Sequence, residues 1–141
     1  MFKIKIYTVG KHKEKWLIEA LEEYTQRLQS HLQIEWILAK QTSHLSSLLE
    51  KESNFIALDP SGKEYSSEQF SDWLKQAFIK KGSRLSFVIG GAEGLDSVLK
   101  SRADWLLSLS RLTFTHQITR LILLEQLYRA FEIAKGSSYH K

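Results

Sequence analysis

Five short apolar segments alternate with five segments of helical periodicity along the 141 residues, and this alternation constrains the fold more than any other feature. In Lys3–Val9, Ile4 and Ile6 alternate with Lys3, Lys5 and Tyr7, a strand pattern that Gly10 ends. From Glu14 to about Ser30, Leu17, Leu21, Tyr24 and Leu28 recur on one helical face. Ile34–Ala39 reads as a second strand, and Ser43–Glu52 as a short helix with Ser43 as its candidate cap. Asn54–Asp59 is a continuous apolar strand closed by the turn signal Pro60-Ser61-Gly62. Ser66 with Gln69 fits a capping box, Phe70, Trp73, Leu74, Ala77 and Phe78 supply the buried stripe, and Gly82 closes that helix. Leu85–Ile89 is a fourth strand, a short helix begins near Asp96, and Trp105–Leu109 is a fifth strand. His116 to about Lys135 forms the longest helix, Gly136 caps it, and Ser137–Lys141 is a short tail. Strands alternating with helices predict one α/β domain over residues 1–141. Its sheet is mostly parallel, with helices on both faces. The most apolar strands, the third, fourth and fifth, are expected at central positions.

Several classes of function are excluded or disfavoured. The chain has no cysteine, which removes disulfides, cysteine-ligated zinc, iron–sulfur clusters and thiol nucleophiles. That absence also makes the cytoplasm the expected compartment. No two of His12, His31, His44, His116 and His140 are spaced as local metal ligands, so no metal is expected. MFKIKIYTVG lacks the apolar run of a signal peptide, and Leu121–Leu124 is too short to span a membrane. The net charge of +4 permits an anionic partner such as nucleic acid without demanding one.

Four segments carry the chemical information. Gly90, Gly91 and Gly94 follow the fourth strand directly, where open α/β sheets bind ligands. Their G-G-x-x-G spacing is neither the dinucleotide fingerprint nor a P-loop; a tight strand–helix turn is the equal alternative. Ser108–His116 joins a strand to the last helix and carries small hydroxyl residues able to present backbone groups; it is also an ordinary capped loop, with Thr115 the natural N-cap. The last helix places Arg120, Glu125, Tyr128 and Arg129 on an otherwise apolar cylinder, which points to burial by the sheet and by a second subunit. Glu125 and Arg129 equally make a simple i, i+4 ion pair. Tyr139 and His140 end the chain; terminal residues usually form a free tail, but histidine is the side chain best suited to proton transfer near neutrality. Trp16, Trp36 and Trp73 sit where core packing is the default.

Together these segments resemble one family. Val88–Leu95 reads V-I-G-G-x-x-G-L, Leu109–Gln117 reads L-S-x-x-T-F-x-H-Q, and Arg120–Phe131 reads R-x-x-x-x-E-Q-x-Y-R-A-F before the terminal Y-H-K. Lys5–Lys15 (K-I-x-x-V-G-K-x-K-E-K) and Ile56–Lys63 (I-A-L-D-x-x-G-K) extend the likeness over essentially the whole chain, with an unspecific, shortened stretch near residues 40–53. The pattern is similar to the SPOUT methyltransferases, specifically the ribosomal large-subunit RNA methyltransferase H family. That family methylates N3 of a pseudouridine in helix 69 of 23S rRNA on assembled ribosomes.

The resemblance implies an α/β knot at the C-terminal end and a homodimer with active sites at the interface. It implies S-adenosylmethionine bound by Leu58, by Gly90, Gly91 and Gly94, and by Ser110, Arg111, Leu112, Thr113, Phe114 and Thr115. Thr115 stands where the family usually has proline, which bears on the stiffness of that loop. His140 would assist deprotonation, Tyr139 would stack on or orient the base, and Arg129 would hold a phosphate or stabilise developing charge. His116, Arg120 and Glu125 would be wall or interface residues. Lys11, Lys13, Lys15, Arg129, Lys135 and Lys141 are candidate phosphate contacts. The alternatives are a SPOUT enzyme with another RNA target, a non-catalytic ribosome-associated binding factor, and an unrelated doubly wound ligand-binding protein.

Overall fold

A computed structural model describes residues 1–141. In chain order the elements are β1 (Phe2–Val9), α1 (Lys15–Leu28), β2 (Leu32–Ala39), α2 (Thr42–Leu49) and β3 (Ile56–Glu64). They continue with α3 (Ser67–Lys81), β4 (Arg84–Ile89), α4 (Ser97–Arg102), β5 (Trp105–Ser108) and α5 (His116–Lys135). All strand pairs are parallel, in the order β2-β1-β4-β3-β5.

Helices cover both faces. Ile4, Ile6, Leu85 and Phe87 point to one face and pack with Leu17 and Leu21 of α1, Leu74 and Phe78 of α3, and Leu123, Leu124 and Leu127 of α5. Tyr7, Ala57 and Val88 point to the other and meet Leu45 and Leu49 of α2 and Leu99 of α4. The Ser66 capping box forms as the sequence predicts, with Ser66 Oγ accepting from Gln69 N (3.1 Å) and Gln69 Oε1 accepting from Ser66 N (2.9 Å). Thr115 caps α5 by accepting from Ile118 N, at 3.2 Å.

The structure corrects several expectations. β5 is an edge strand, not a central one. It is apolar because helices cover the sheet even at its rim: Trp105 packs edge-on against Trp73, 5.5 Å between ring centres, and its four-residue length limits the open edge. β1, with its alternating Lys and Ile, is instead an interior strand. Pro60-Ser61-Gly62 does not terminate β3. The pairing with β5 jumps from Leu58↔Leu107 to Lys63↔Leu107, so the turn is an outward bulge within the strand. Gly62 is needed there, because a Cβ would lie 2.6 Å from the carbonyl carbon of Leu106. The N-cap of α2 is Gln41 rather than Ser43, and no side chain caps it. Trp16 is 52% exposed and lies outside the core, whereas Trp36 and Trp73 are partly buried against it.

Candidate active site

In a parallel sheet the loops after the strand C-termini gather at one end, and here four of them enclose a cleft of about 750 Å³, the loop after β1 supplying Lys13 and Glu14. The β3 bulge contributes Leu58, Asp59 and Pro60, and the glycine turn contributes Gly90, Gly91 and Gly94. The β5–α5 connection contributes Ser110, Leu112, Thr113, Phe114 and Thr115. Of the residues the sequence places around a cofactor, only Arg111 is absent from the lining; it is exposed.

Gly90 is fixed by contact, since a Cβ there would fall 2.6 Å from the carbonyl carbon of Gly94. The Gly94 amide donates to Gly91 O at 2.9 Å and closes the turn. At Gly91 a Cβ would point at Val9, at an ordinary 3.4 Å. The tightness of the turn therefore depends on Gly90 and Gly94 more than on Gly91. Asp59 accepts hydrogen bonds from the Ser61 amide and hydroxyl and pairs with Lys100 at 3.3 Å. Burial pushes the Asp59 carboxyl upward, but the Ser61 bonds and Lys100 outweigh it and hold the group below the usual carboxylate range. The walls are thus Leu58, Ile89, Leu109 and Phe114, joined by loop backbone and an ionised Asp59.

Next to the cleft, the first turns of α5 grip the loop after β1. Gln117 Nε2 donates to Lys11 O (2.9 Å) and Gln117 Oε1 accepts from Lys13 N (3.1 Å). Arg120, fully buried, donates to Val9 O (2.7 Å) and to His12 Nδ1 (2.9 Å). No carboxylate faces it, and burial lowers its pKa to about 10, so it remains charged at neutrality. Burial, and then the Arg120 charge, lower the pKa of both His12 and His116. The family resemblance marked Arg120 as a wall or interface residue; its complete burial inside one chain has no local signal beyond the apolar run around it.

The tail is not free. Ser137 Oγ donates to Glu132 Oε1 (2.9 Å), and the Tyr139 hydroxyl donates to Glu125 Oε2 (2.8 Å). The Tyr139 ring meets Tyr128 edge-on at 4.8 Å, under the Arg129 guanidinium. Burial, then hydrogen bonding to Tyr24 and Glu125, raises the Tyr139 pKa and keeps the phenol protonated. Arg129 grips Glu125 through Nε (3.4 Å) and Nη2 (2.8 Å), and its Nη1 contacts His140 Nδ1 at 3.0 Å. A guanidinium only donates, so Nδ1 accepts and the proton of the neutral ring lies on Nε2, 3.4 Å from Glu68 Oε2. Arg129, Tyr139 and His140 therefore form one cluster with Glu125. None of the four lines the cleft, whose lining on α5 ends at Thr119, six residues before Glu125 and ten before Arg129, about 9 and 15 Å along the helix at 1.5 Å per residue.

No group of three or more His, Cys, Asp or Glu side chains is placed to hold a metal ion, and no helix is long and apolar enough to cross a membrane.

The profile described as "Predicted SPOUT methyltransferase" matches residues 2–140. A "Ribosomal RNA large subunit methyltransferase H" from Protochlamydia amoebophila is 54% identical over 141 residues, covering all of both chains. The protein of the same name from Streptococcus suis is 40% identical, covering 99% of each. Among solved structures, a probable methylase family protein from Haemophilus influenzae Rd KW20 superposes with a TM-score of 0.61 at 10% identity, over 98% of this chain and 70% of that one. A probable methyltransferase from Bordetella pertussis Tohama I gives 0.56 at 9% identity, over 91% and 95%. At such identities the structural likeness concerns the fold.

Proposed function

The chain belongs to the SPOUT methyltransferases, among the ribosomal RNA large-subunit methyltransferase H proteins, and from that premise we propose that it methylates N3 of a pseudouridine in helix 69 of 23S rRNA. The methyl donor in this reading is S-adenosylmethionine, the substrate is the assembled ribosome, and the compartment is the cytoplasm. The observation that carries the reading is the convergence of four loops on one cleft. Its volume, about 750 Å³, lies within the range of small-molecule sites. Its apolar walls suit an adenine ring, and its backbone groups suit ribose and amino-acid recognition. When bound, the cofactor supplies an electrophilic methyl on a sulfonium sulfur. Alignment of the uracil nitrogen with that methyl is the main task of the site.

N3 of pseudouridine keeps its proton at neutral pH, so a hydrogen-bond acceptor for that proton contributes about 10²–10⁴-fold. His140 is the proposed acceptor, with Arg129 as its gate. In the free chain the only lone pair of the His140 ring faces Arg129. Movement of Arg129 onto a phosphate or the uracil oxygens releases Nδ1 to accept the proton. Tyr139, tied to Glu125, anchors the tail; stacking on the base would require that bond to break.

In this reading the tail, whose residues do not line the cleft of its own chain, completes the cleft of another copy. Exposed Trp16, Leu112 and Ile118 line the mouth of the cleft and form the apolar rim that such a copy would cover. The reading is thus a homodimer with composite sites. The SPOUT knot belongs to the same proposal, as a family property.

The test is incubation with methyl-labelled S-adenosylmethionine and ribosomes lacking the modification, followed by mapping of the label. Label on N3 of the helix 69 pseudouridine is the expected result. Label on another nucleotide changes the substrate, and absence of both label and cofactor binding favours the binding-factor alternative.

A further inference from the structure

The opposite end of the sheet carries a second feature. Interior strands of parallel sheets are normally apolar on both faces, because helices cover both. β1 and β4 are interior strands, yet Lys3 pairs with Arg84 and Lys5 with Ser86, all on the face that carries α2 and α4. Those helices, of eight and six residues, are short, and the apolar cluster beneath them reaches down only to Tyr7, Val88 and Phe55. Below it lies an open cleft of about 210 Å³. Its charged lining is Lys3, Lys5, Lys81 and Arg84 against Glu52 and Asp104.

Both carboxylates are already engaged. Glu52 accepts from the Tyr7 hydroxyl (2.6 Å) and pairs with Lys5 (3.5 Å), and Asp104 pairs with Lys81 (3.0 Å). Lys3 and Arg84 have no carboxylate partner. Two cations on neighbouring strands thus face a concavity whose acids are spent, and the recess is large enough for a phosphate group.

We propose that this cleft is a second RNA contact, in which Lys3 and Arg84 hold a backbone phosphodiester of the rRNA substrate. It lies remote from methyl transfer, since Lys3 and Val9 are six residues apart on one strand, about 20 Å at 3.3 Å per residue. The proposal rests on the rRNA-methyltransferase reading and extends it to how so small a chain recognises a large particle.

The test is the Lys3→Gln/Arg84→Gln double variant, assayed for ribosome binding across salt concentration and for methyl transfer. Both side chains are solvent-accessible, so the fold is retained, which a melting curve checks. The variant is expected to show a several-fold higher KM for ribosomes, with kcat and cofactor affinity unchanged. The slope of log K against log salt is expected to be shallower by roughly 0.7–0.9, the change for one lost phosphate contact. Unchanged KM and slope, in a protein that methylates ribosomes, overturn the cleft assignment and leave the rRNA reading intact. A wild-type chain that neither binds nor methylates ribosomes overturns both.

Discussion

Arg120 is the most constrained residue in the chain. Its guanidinium is buried without an anion, and its two hydrogen bonds tie the loop after β1 to α5 at the edge of the cleft. Arg120→Lys cannot span both Val9 O and His12, and it is expected to destabilise the fold by about 1–3 kcal/mol in denaturant titration. His12 and His116 give this region a pH dependence. Their pKa values lie below the ordinary 6.5, through burial and then the Arg120 charge. Between that value and their folded values the unfolded chain binds more protons than the folded one, so stability falls as pH is lowered through this window. Melting temperatures followed from pH 7 downward should show that decline, and His12→Asn, which keeps an acceptor but cannot titrate, should reduce it. Tyr139 and His140 were legible in the sequence as an unusual ending. Their bonds to Glu125 and Arg129 were not, because contacts across eleven or fourteen residues depend on how the tail turns back after Gly136.

At the scale of elements, the helices were legible because periodicity and caps are local: the α5 boundaries and the Ser66 capping box are those the sequence predicts. Strand order was not, because it depends on which faces the helices cover. β5 is apolar at an edge under Trp73, and β1 carries lysines in the interior because α2 and α4 leave part of a face open. The β3 bulge was read as a terminus because Pro-Ser-Gly carries the same local signal in a turn as in an outward loop. The bulge lies directly on the backbone of Leu106 and Leu107 at Gly62. Gly62→Ala should therefore cost at least about 2 kcal/mol, lowering the melting temperature by roughly 5 °C or more. The glycine turn offers a paired comparison. Gly90→Ala forces backbone apart and should lose cofactor binding by calorimetry, whereas Gly91→Ala, which meets only Val9, should leave the melting temperature within about 2 °C of the parent.

At the scale of the whole molecule, the cleft and the Arg129–Tyr139–His140 cluster lie at separate positions along α5. Local pattern left each segment an ordinary structural reading and the family resemblance marked both as functional, but their separation emerges only in three dimensions. In the proposed reading the two meet across a dimer, with each cleft completed by the tail of its partner. The decisive measurement is complementation between two inactive variants in the ribosome methylation assay. Thr113→Trp fills the cleft from an exposed position and leaves the tail intact; His140→Ala leaves the cleft intact and removes the proposed proton acceptor. Each alone should retain at most about a hundredth of wild-type turnover. Random pairing of an equal mixture puts half of the dimers in mixed form with one of two sites whole, so activity should recover to about a quarter of wild type. A mixture no more active than its components, with mixed dimers demonstrated, would contradict a site shared between two chains.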